Sequence, residues 1–192
     1  MADYDLIASE YLANRERLKS GKYVQKLLKL LPKNATVLDL GCGAGVPVDD
    51  VLIKAGHSVI GIDNSIEQIK LAKKNCPRGT YEVRDIMELK RDEYMVEAVV
   101  SFYTWFHLPR AKQQERLETI ASYLKKRGTL LITMGDREFE GEHTLYGARV
   151  WSSQFGSQKN RQIVELAGFE IIFEEIDTSG GERHQVILAK KR

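Results

Sequence analysis

Apolar residues recur along this chain in two alternating rhythms. Val24, Leu27, Leu28 and Leu31 fall three or four apart and stop at Pro32, which predicts an amphipathic helix. A short apolar run, Val37-Leu38-Asp39-Leu40, follows and reads as a buried strand leading into a helix over Asp49–Ala55. A second run, Val59-Ile60-Gly61-Ile62, ends at Asp63. Ser65 with Gln68 three residues later then forms a capping box for a helix bearing Ile66, Ile69 and Ala72. Thr80–Val83 and Glu97–Phe102 are the third and fourth strands. A helix with Leu117, Ile120, Ala121 and Leu124 on one face exits at Gly128, ahead of a fifth strand, Leu130–Met134. Ile163, Leu166 and Ala167 mark a last helix ended by Gly168. The strands Phe169–Ile176 and Gln185–Lys190 are joined by Ser179-Gly180-Gly181, too short a link for a parallel crossover, so they pair antiparallel. The alternation predicts an α/β fold, a doubly wound seven-stranded sheet with helices on both faces. At 192 residues without internal repeats, the chain reads as one domain.

Between the first strand and its helix, glycine stands at every second position, Gly41, Gly43 and Gly45. Such a loop turns sharply and admits a ligand where a Cβ would clash, at the nucleotide-binding corner of a doubly wound sheet. The spacing is not the dinucleotide fingerprint, which needs glycine where Val46 stands. Asp39 before the loop would repel a diphosphate and suit a cation. Asp63 lies about 20 residues beyond the loop, placed to accept ribose hydroxyls. Arg84-Asp85-Ile86 follows the third strand, and Tyr103-Thr104-Trp105-Phe106-His107-Leu108-Pro109 follows the fourth.

These four motifs, in this order over roughly residues 35 to 135, resemble the class I S-adenosylmethionine-dependent methyltransferases. The resemblance implies strand order 3-2-1-4-5-7-6 with the last strand antiparallel, the closing hairpin supplying a reversed edge strand. It implies S-adenosylmethionine as methyl donor and S-adenosylhomocysteine as product. By the same resemblance the methionine end falls to Asp39, Gly41, Gly43 and Gly45, the ribose to Asp63 and the adenine to Asp85 with Ile86. Tyr11, Arg15, Asn64 and Ser101 complete the implied cofactor contacts. The fourth motif departs from the Asn/Asp-Pro-Pro-aromatic signature of enzymes that methylate nucleic-acid bases, since Ser101-Phe102-Tyr103-Thr104 stands there.

Charge supports that exclusion. Lys and Arg total 29 against 27 acidic residues, a net charge of +2, so no large basic field draws in nucleic acid. A small-molecule acceptor is expected, with no nucleic-acid or membrane partner, and a monomer or homodimer. Two cysteines, Cys42 and Cys76, at no metal-ligand spacing, together with an acidic N-terminus unlike a signal peptide, lead to the expectation of a cytoplasmic protein. Walker and His-Glu-x-x-His motifs are absent, and Gly147 stands where a calcium loop beginning at Asp136 would need glutamate, so no metal is expected.

Two regions break the alternation. Residues 1–33 are expected to form a helical cap over the cofactor. Residues 135–157, a long connection with Phe139, His143, Tyr146, Trp151 and Phe155, are expected to form a substrate lid. Tyr103, His107, Tyr146 and Trp151 are the expected acceptor wall, with His107 the candidate proton acceptor. The competing reading of His107 is an anchor for its loop, and methyl transfer itself can proceed by placement alone. Two other functions stay open at this level: a catalytically silent S-adenosylmethionine-binding regulatory protein, and an NAD(P)-dependent oxidoreductase. Val46, Asp39 and the terminal hairpin weigh against the oxidoreductase.

Overall fold

A computed structural model describes residues 4–14 and 20–192. In chain order the described elements are α1 (Tyr4–Asn14), α2 (Gly21–Leu28), β1 (Thr36–Leu40), α3 (Val48–Lys54), β2 (Ser58–Asp63) and α4 (Ile66–Asn75). There follow β3 (Thr80–Val83), β4 (Val96–Ser101), α5 (Arg110–Tyr123), β5 (Leu124–Gly135), β6 (Phe139–Leu145) and β7 (Ala148–Gln154). The chain closes with α6 (Ser157–Leu166), β8 (Phe169–Asp177) and β9 (His184–Lys191). Single 3-10 turns cover Ile86–Glu88, Trp105–His107 and Ser179–Gly181.

Seven strands form one sheet in the order β3-β2-β1-β4-β5-β9-β8. The first five are parallel neighbours, and β9 runs antiparallel to both β5 and β8. Counted within the sheet this is the order 3-2-1-4-5-7-6. The reversed strand is interior rather than at the edge, because β9 inserts between β5 and β8 and leaves β8 outermost.

Strand alternation divides the core between the two faces. Val37, Val100, Leu131 and Leu188 pack against α2, α3 and α4 through Val24, Leu27, Leu52 and Ile69. Leu38, Leu40, Val99, Ile132 and Ile187 pack against α5 and α6 through Leu117, Ile120, Ile163 and Val164. The sheet's carboxyl edge is left to the loops after β1, β2, β3 and β4, as doubly wound folds require of a ligand site.

Two segments differ from the sequence reading. Leu124, placed by spacing on the fifth helix, instead opens β5 opposite Val96, and the register slips before Ala98 meets Thr129. Lys125, between the expected helix face and its exit at Gly128, lies in that strand and pairs with Glu97. The expected long connection over 135–157 is an ordered antiparallel hairpin, β6–β7, with Leu145 opposite Ala148. At its tip Tyr146 and Gly147 have φ of 47° and 81°, the consecutive positive values of a two-residue type I′ loop. Its base is fastened to α5: Gln113 Nε2 donates to the Ser153 carbonyl at 2.8 Å, and Arg110 N–H to the Ser153 hydroxyl at 3.0 Å. The Arg110 guanidinium also pairs with Glu138 and Glu140.

α1 docks beside α4 through Asp5, whose carboxylate accepts from the Ser65 hydroxyl and, at 3.2 Å, from Glu67 N–H. The Ser65 hydroxyl in turn accepts from Gln68 N–H at 3.1 Å, so the expected N-cap is present.

Packing around Gly61 of β2 is tight: a Cβ there would lie 2.6 Å from Tyr81 Cδ1 and 2.9 Å from Cys42 Sγ. Gly61→Ala should therefore lower the unfolding free energy by about 1–3 kcal/mol through overpacking. Gly21→Ala, where no atom of the described residues lies within 4 Å, should change it by no more than about 0.5 kcal/mol. Urea denaturation of both variants checks this, and equal losses would remove the steric explanation.

Candidate active site

A cavity of about 370 Å³ opens at the carboxyl edge of the sheet, walled by the loops after β1 to β4, by Leu12 of α1 and by Trp151 of β7. The glycine loop forms its floor. Gly41, Gly43 and Gly45 have φ of 76°, 54° and 76°, a left-handed path that side chains disfavour. The reason for glycine differs along the loop. A Cβ on Gly41 would run into the Thr104 side chain, whose hydroxyl donates to the Phe102 carbonyl at 3.2 Å, so protein packing demands that glycine. At Gly43, among the described residues, only Gln68 Oε1 comes near a notional Cβ, at 3.7 Å.

Asp63 organises the loop from β2. One carboxylate oxygen accepts Gly43 N–H and the other Ser65 N–H, both at 2.9 Å. Burial pushes this carboxyl above the ordinary range, and the amide donors partly offset the rise. Asn64 lines the cavity beside it. After β3, Asp85 accepts Met87 N–H at 2.8 Å, capping the turn that presents Ile86 and Met87 to the cavity. Arg84 is held on the same wall by both Glu93 oxygens at 2.8 Å and by the Tyr94 hydroxyl at 3.1 Å.

Asp39 does not reach the cavity wall. Alternation along β1 points it to the same face as Val37, toward the first turn of α3, where it meets Asp49. Both are buried, Asp39 at 3% and Asp49 at 0% exposure. Burial, reinforced by the charge of Asp39, pushes the Asp49 carboxyl well above the usual range. Asp49 Oδ2, Tyr81 Oη and Cys76 Sγ converge behind Gly45, 3.3–3.4 Å from a notional Cβ there. Ser101 is likewise behind the wall, its hydroxyl donating to the Leu40 carbonyl at 2.8 Å and tying β4 to β1.

On the far side of the cavity the chain leaves β4 through Tyr103, a non-glycine residue at φ 57°. Its N–H donates to the Thr133 hydroxyl, and its ring packs edge-on to His184 at 4.9 Å between centroids. This bend delivers His107 to the cavity. His107 Nδ1 lies 2.9 Å from the Trp151 carbonyl, an acceptor only, so Nδ1 carries the hydrogen and the neutral ring has its lone pair at Nε2. Burial lowers the pKa of His107 below the ordinary imidazole value, and the Trp151 carbonyl partly opposes this.

Residues 37–128 match a family model described as a methyltransferase domain. Over those residues the chain is similar to methyltransferase domains, and its fold is that of S-adenosylmethionine-dependent methyltransferases of known structure. It is 29% identical over 104 residues to an uncharacterised methyltransferase of Oceanobacillus iheyensis, covering 54% of this chain and 47% of that one. The chain thus spans about half the length of that curated relative. Among solved structures it resembles magnesium protoporphyrin IX methyltransferase of Synechocystis with bound S-adenosylhomocysteine, at TM-score 0.74 and 17% identity over 99% of this chain and 97% of that one. It also resembles 1,6-didemethyltoxoflavin-N1-methyltransferase of Burkholderia thailandensis, solved with bound 1,6-didemethyltoxoflavin and S-adenosylhomocysteine, at TM-score 0.71 and 18% identity over 96% and 87% of the two chains.

Set against the sequence expectations, Gly41, Gly43, Asp63, Asn64, Asp85 and Ile86 come together around one cavity with Tyr103, His107 and Trp151. Asp39, Gly45 and Ser101 stand behind its wall. Tyr146, expected in the acceptor wall, sits at the hairpin tip, 36% exposed, because the type I′ loop carries it away from the sheet. The side chain of Tyr11 and all of Arg15 lie outside the described residues. Leu12, Gln68, Met87 and Thr104 line the cavity and were not anticipated as site residues. Of these, only Leu12 carried a usable signal, being one position from Tyr11 on the same predicted cap.

The Asp49 proton has a consequence for stability. Unfolding lets this carboxyl titrate near the ordinary 3.8, so between that pH and its higher folded value the native state binds more protons and loses stability as pH rises. The full slope is about 1.4 kcal/mol per pH unit. Asp49→Asn should flatten this decline, measured by urea unfolding from pH 4 to 8. An unchanged slope would show that Asp49 is ionised in the fold.

Proposed function

We propose that this protein uses S-adenosylmethionine to methylate a small-molecule acceptor. The observation that carries the reading is one continuous cavity joining Gly43, Asp63 and Asp85 to His107 and Trp151. The residues present fit the cofactor: an open glycine backbone, an acid oriented by two amides, a second acid beyond the third strand and an apolar wall at Ile86. When bound, the sulfonium supplies an already activated methyl group.

The protein's own residues do the rest. Asp63 accepts the ribose hydroxyls while keeping the glycine loop in place. The second oxygen of Asp85 and the Ile86 backbone take the adenine edge. Tyr103, Leu108, Pro109 and Trp151 enclose the acceptor and exclude water, which favours in-line attack by placement. Nε2 of neutral His107 receives the proton of an attacking O–H, N–H or S–H group. Asp39 acts from behind the loop, as a negative charge under the cationic end of the donor. The small-molecule assignment is supported by the near-neutral net charge, +2, by the aromatic wall, and by the Burkholderia structure's bound heterocycle.

Isothermal titration with S-adenosylhomocysteine tests the cofactor assignment. Binding is expected, and Asp63→Ala should weaken it at least about tenfold, the loss of hydrogen bonds to a charged group. Absence of heat with the unaltered protein at millimolar ligand would overturn the reading. The histidine assignment has its own test. In nitrogen NMR of the imidazoles, His107 should titrate below 6.5 and show the Nδ1–H tautomer. A His107 titration above 6.5, or the opposite tautomer, would remove it as the proton acceptor.

A further inference from the structure

Gln68 is the third residue of α4, where the Ser-x-x-Gln pattern would turn its side chain back to the N-cap amide. That amide is already taken, because Ser65 N–H donates to Asp63 Oδ1 at 2.9 Å. Released from capping, the Gln68 side chain lines the cavity, with Oε1 3.7 Å from the point where a Cβ on Gly43 would stand. It is 2% exposed, and among the described residues neither Oε1 nor Nε2 has a hydrogen-bond partner. Buried amides without partners are rare in folded proteins, since each forfeits its hydration without replacement. A ligand that completes the pairing resolves this.

The neighbouring chemistry indicates which ligand atoms those are. Asp63 is an acceptor, so it engages the hydrogens of a ribose diol and leaves the hydroxyl oxygens in need of donors. Nearby amides of Gly43 and Ser65 are spent on Asp63 itself. The primary amide of Gln68 is an unspent donor lining the same cavity as that carboxylate.

We propose that Gln68 is a cofactor-binding residue that selects for an intact ribose, its Nε2–H donating to a hydroxyl oxygen of the diol whose hydrogens Asp63 accepts. This rests on the cofactor reading above. Gln68→Leu, close in volume and without the amide, separates the two.

The probes are S-adenosylhomocysteine, 5′-methylthioadenosine (which lacks the amino-acid end) and the 2′- and 3′-deoxy forms of the latter, all by isothermal titration. Gln68→Leu should weaken S-adenosylhomocysteine and 5′-methylthioadenosine by the same factor, about tenfold. Against the unaltered protein one of the deoxy forms should bind about tenfold less well than 5′-methylthioadenosine, and in Gln68→Leu that penalty should vanish. The melting temperature of the ligand-free variant should hold or rise, because an unpaired buried amide has been removed. Unchanged affinity for 5′-methylthioadenosine, a loss confined to S-adenosylhomocysteine, or a deoxy penalty that survives the substitution would each overturn the proposal. Failure of the unaltered protein to bind either parent ligand would instead overturn the cofactor reading.

Discussion

The carboxylate of Asp63 carries the pairing of β1 with β2 onward into the glycine loop, past the point where the Gly41 and Cys42 amides donate to the Ile62 carbonyl. Its two oxygens hold the amide of Gly43 on one side and that of Ser65 on the other. Neighbouring parts of the loop are held by the Ile62 carbonyl and by Asn75, which donates to the Ala44 carbonyl at 3.0 Å, and the Asp63 bridge adds Gly43 at the centre of the cavity floor. With it, the floor is tied to the start of α4 and, through Ser65, to Asp5 on α1. Charge, loop shape and the docking of the first helix therefore meet at one side chain, whose raised pKa reflects its burial more than any opposing partner.

The opposite wall rests on a different kind of constraint. Tyr103 adopts a backbone conformation that non-glycine residues reach only when their surroundings impose it. Thr133 holds its amide, Phe102 and His184 hold its ring, and Thr104 beside it closes onto Gly41. The turn that aims His107 into the cavity and the first glycine of the loop are thus packed against each other, so the two walls are built as a unit.

Much of this was legible in the sequence. Strand runs, the closing hairpin and the order of motifs fixed the sheet, because parallel strands are buried on both faces and read as continuous apolar segments. Asp63, Asp85 and the glycines were found because each sits at a strand end, where position along the chain determines position in space. Other site residues were less visible for physical reasons. Asp39 lies within a strand, and which face it meets depends on the register of alternation, which the motif alone does not show. Gln68 looked like a capping residue, since the competition for the Ser65 amide becomes apparent only once Asp63 is seen to occupy it. The β6–β7 hairpin escaped detection because most of β6 is exposed, so its residues never acquire the two-residue apolar rhythm that marks a half-buried strand. The register slip that moved Leu124 from helix to strand has no local signal at all.

The hydrogen bond from His107 runs to the main chain of Trp151, not to its side chain. Imidazole tautomer is accordingly governed by the path of the hairpin, whatever residues decorate it. Related proteins can exchange the side chains of β6 and β7 and so alter which molecules are admitted, while the proton-handling face of the histidine is preserved. Selectivity and reactivity are here free to evolve along separate lines, one written in side chains and the other in backbone.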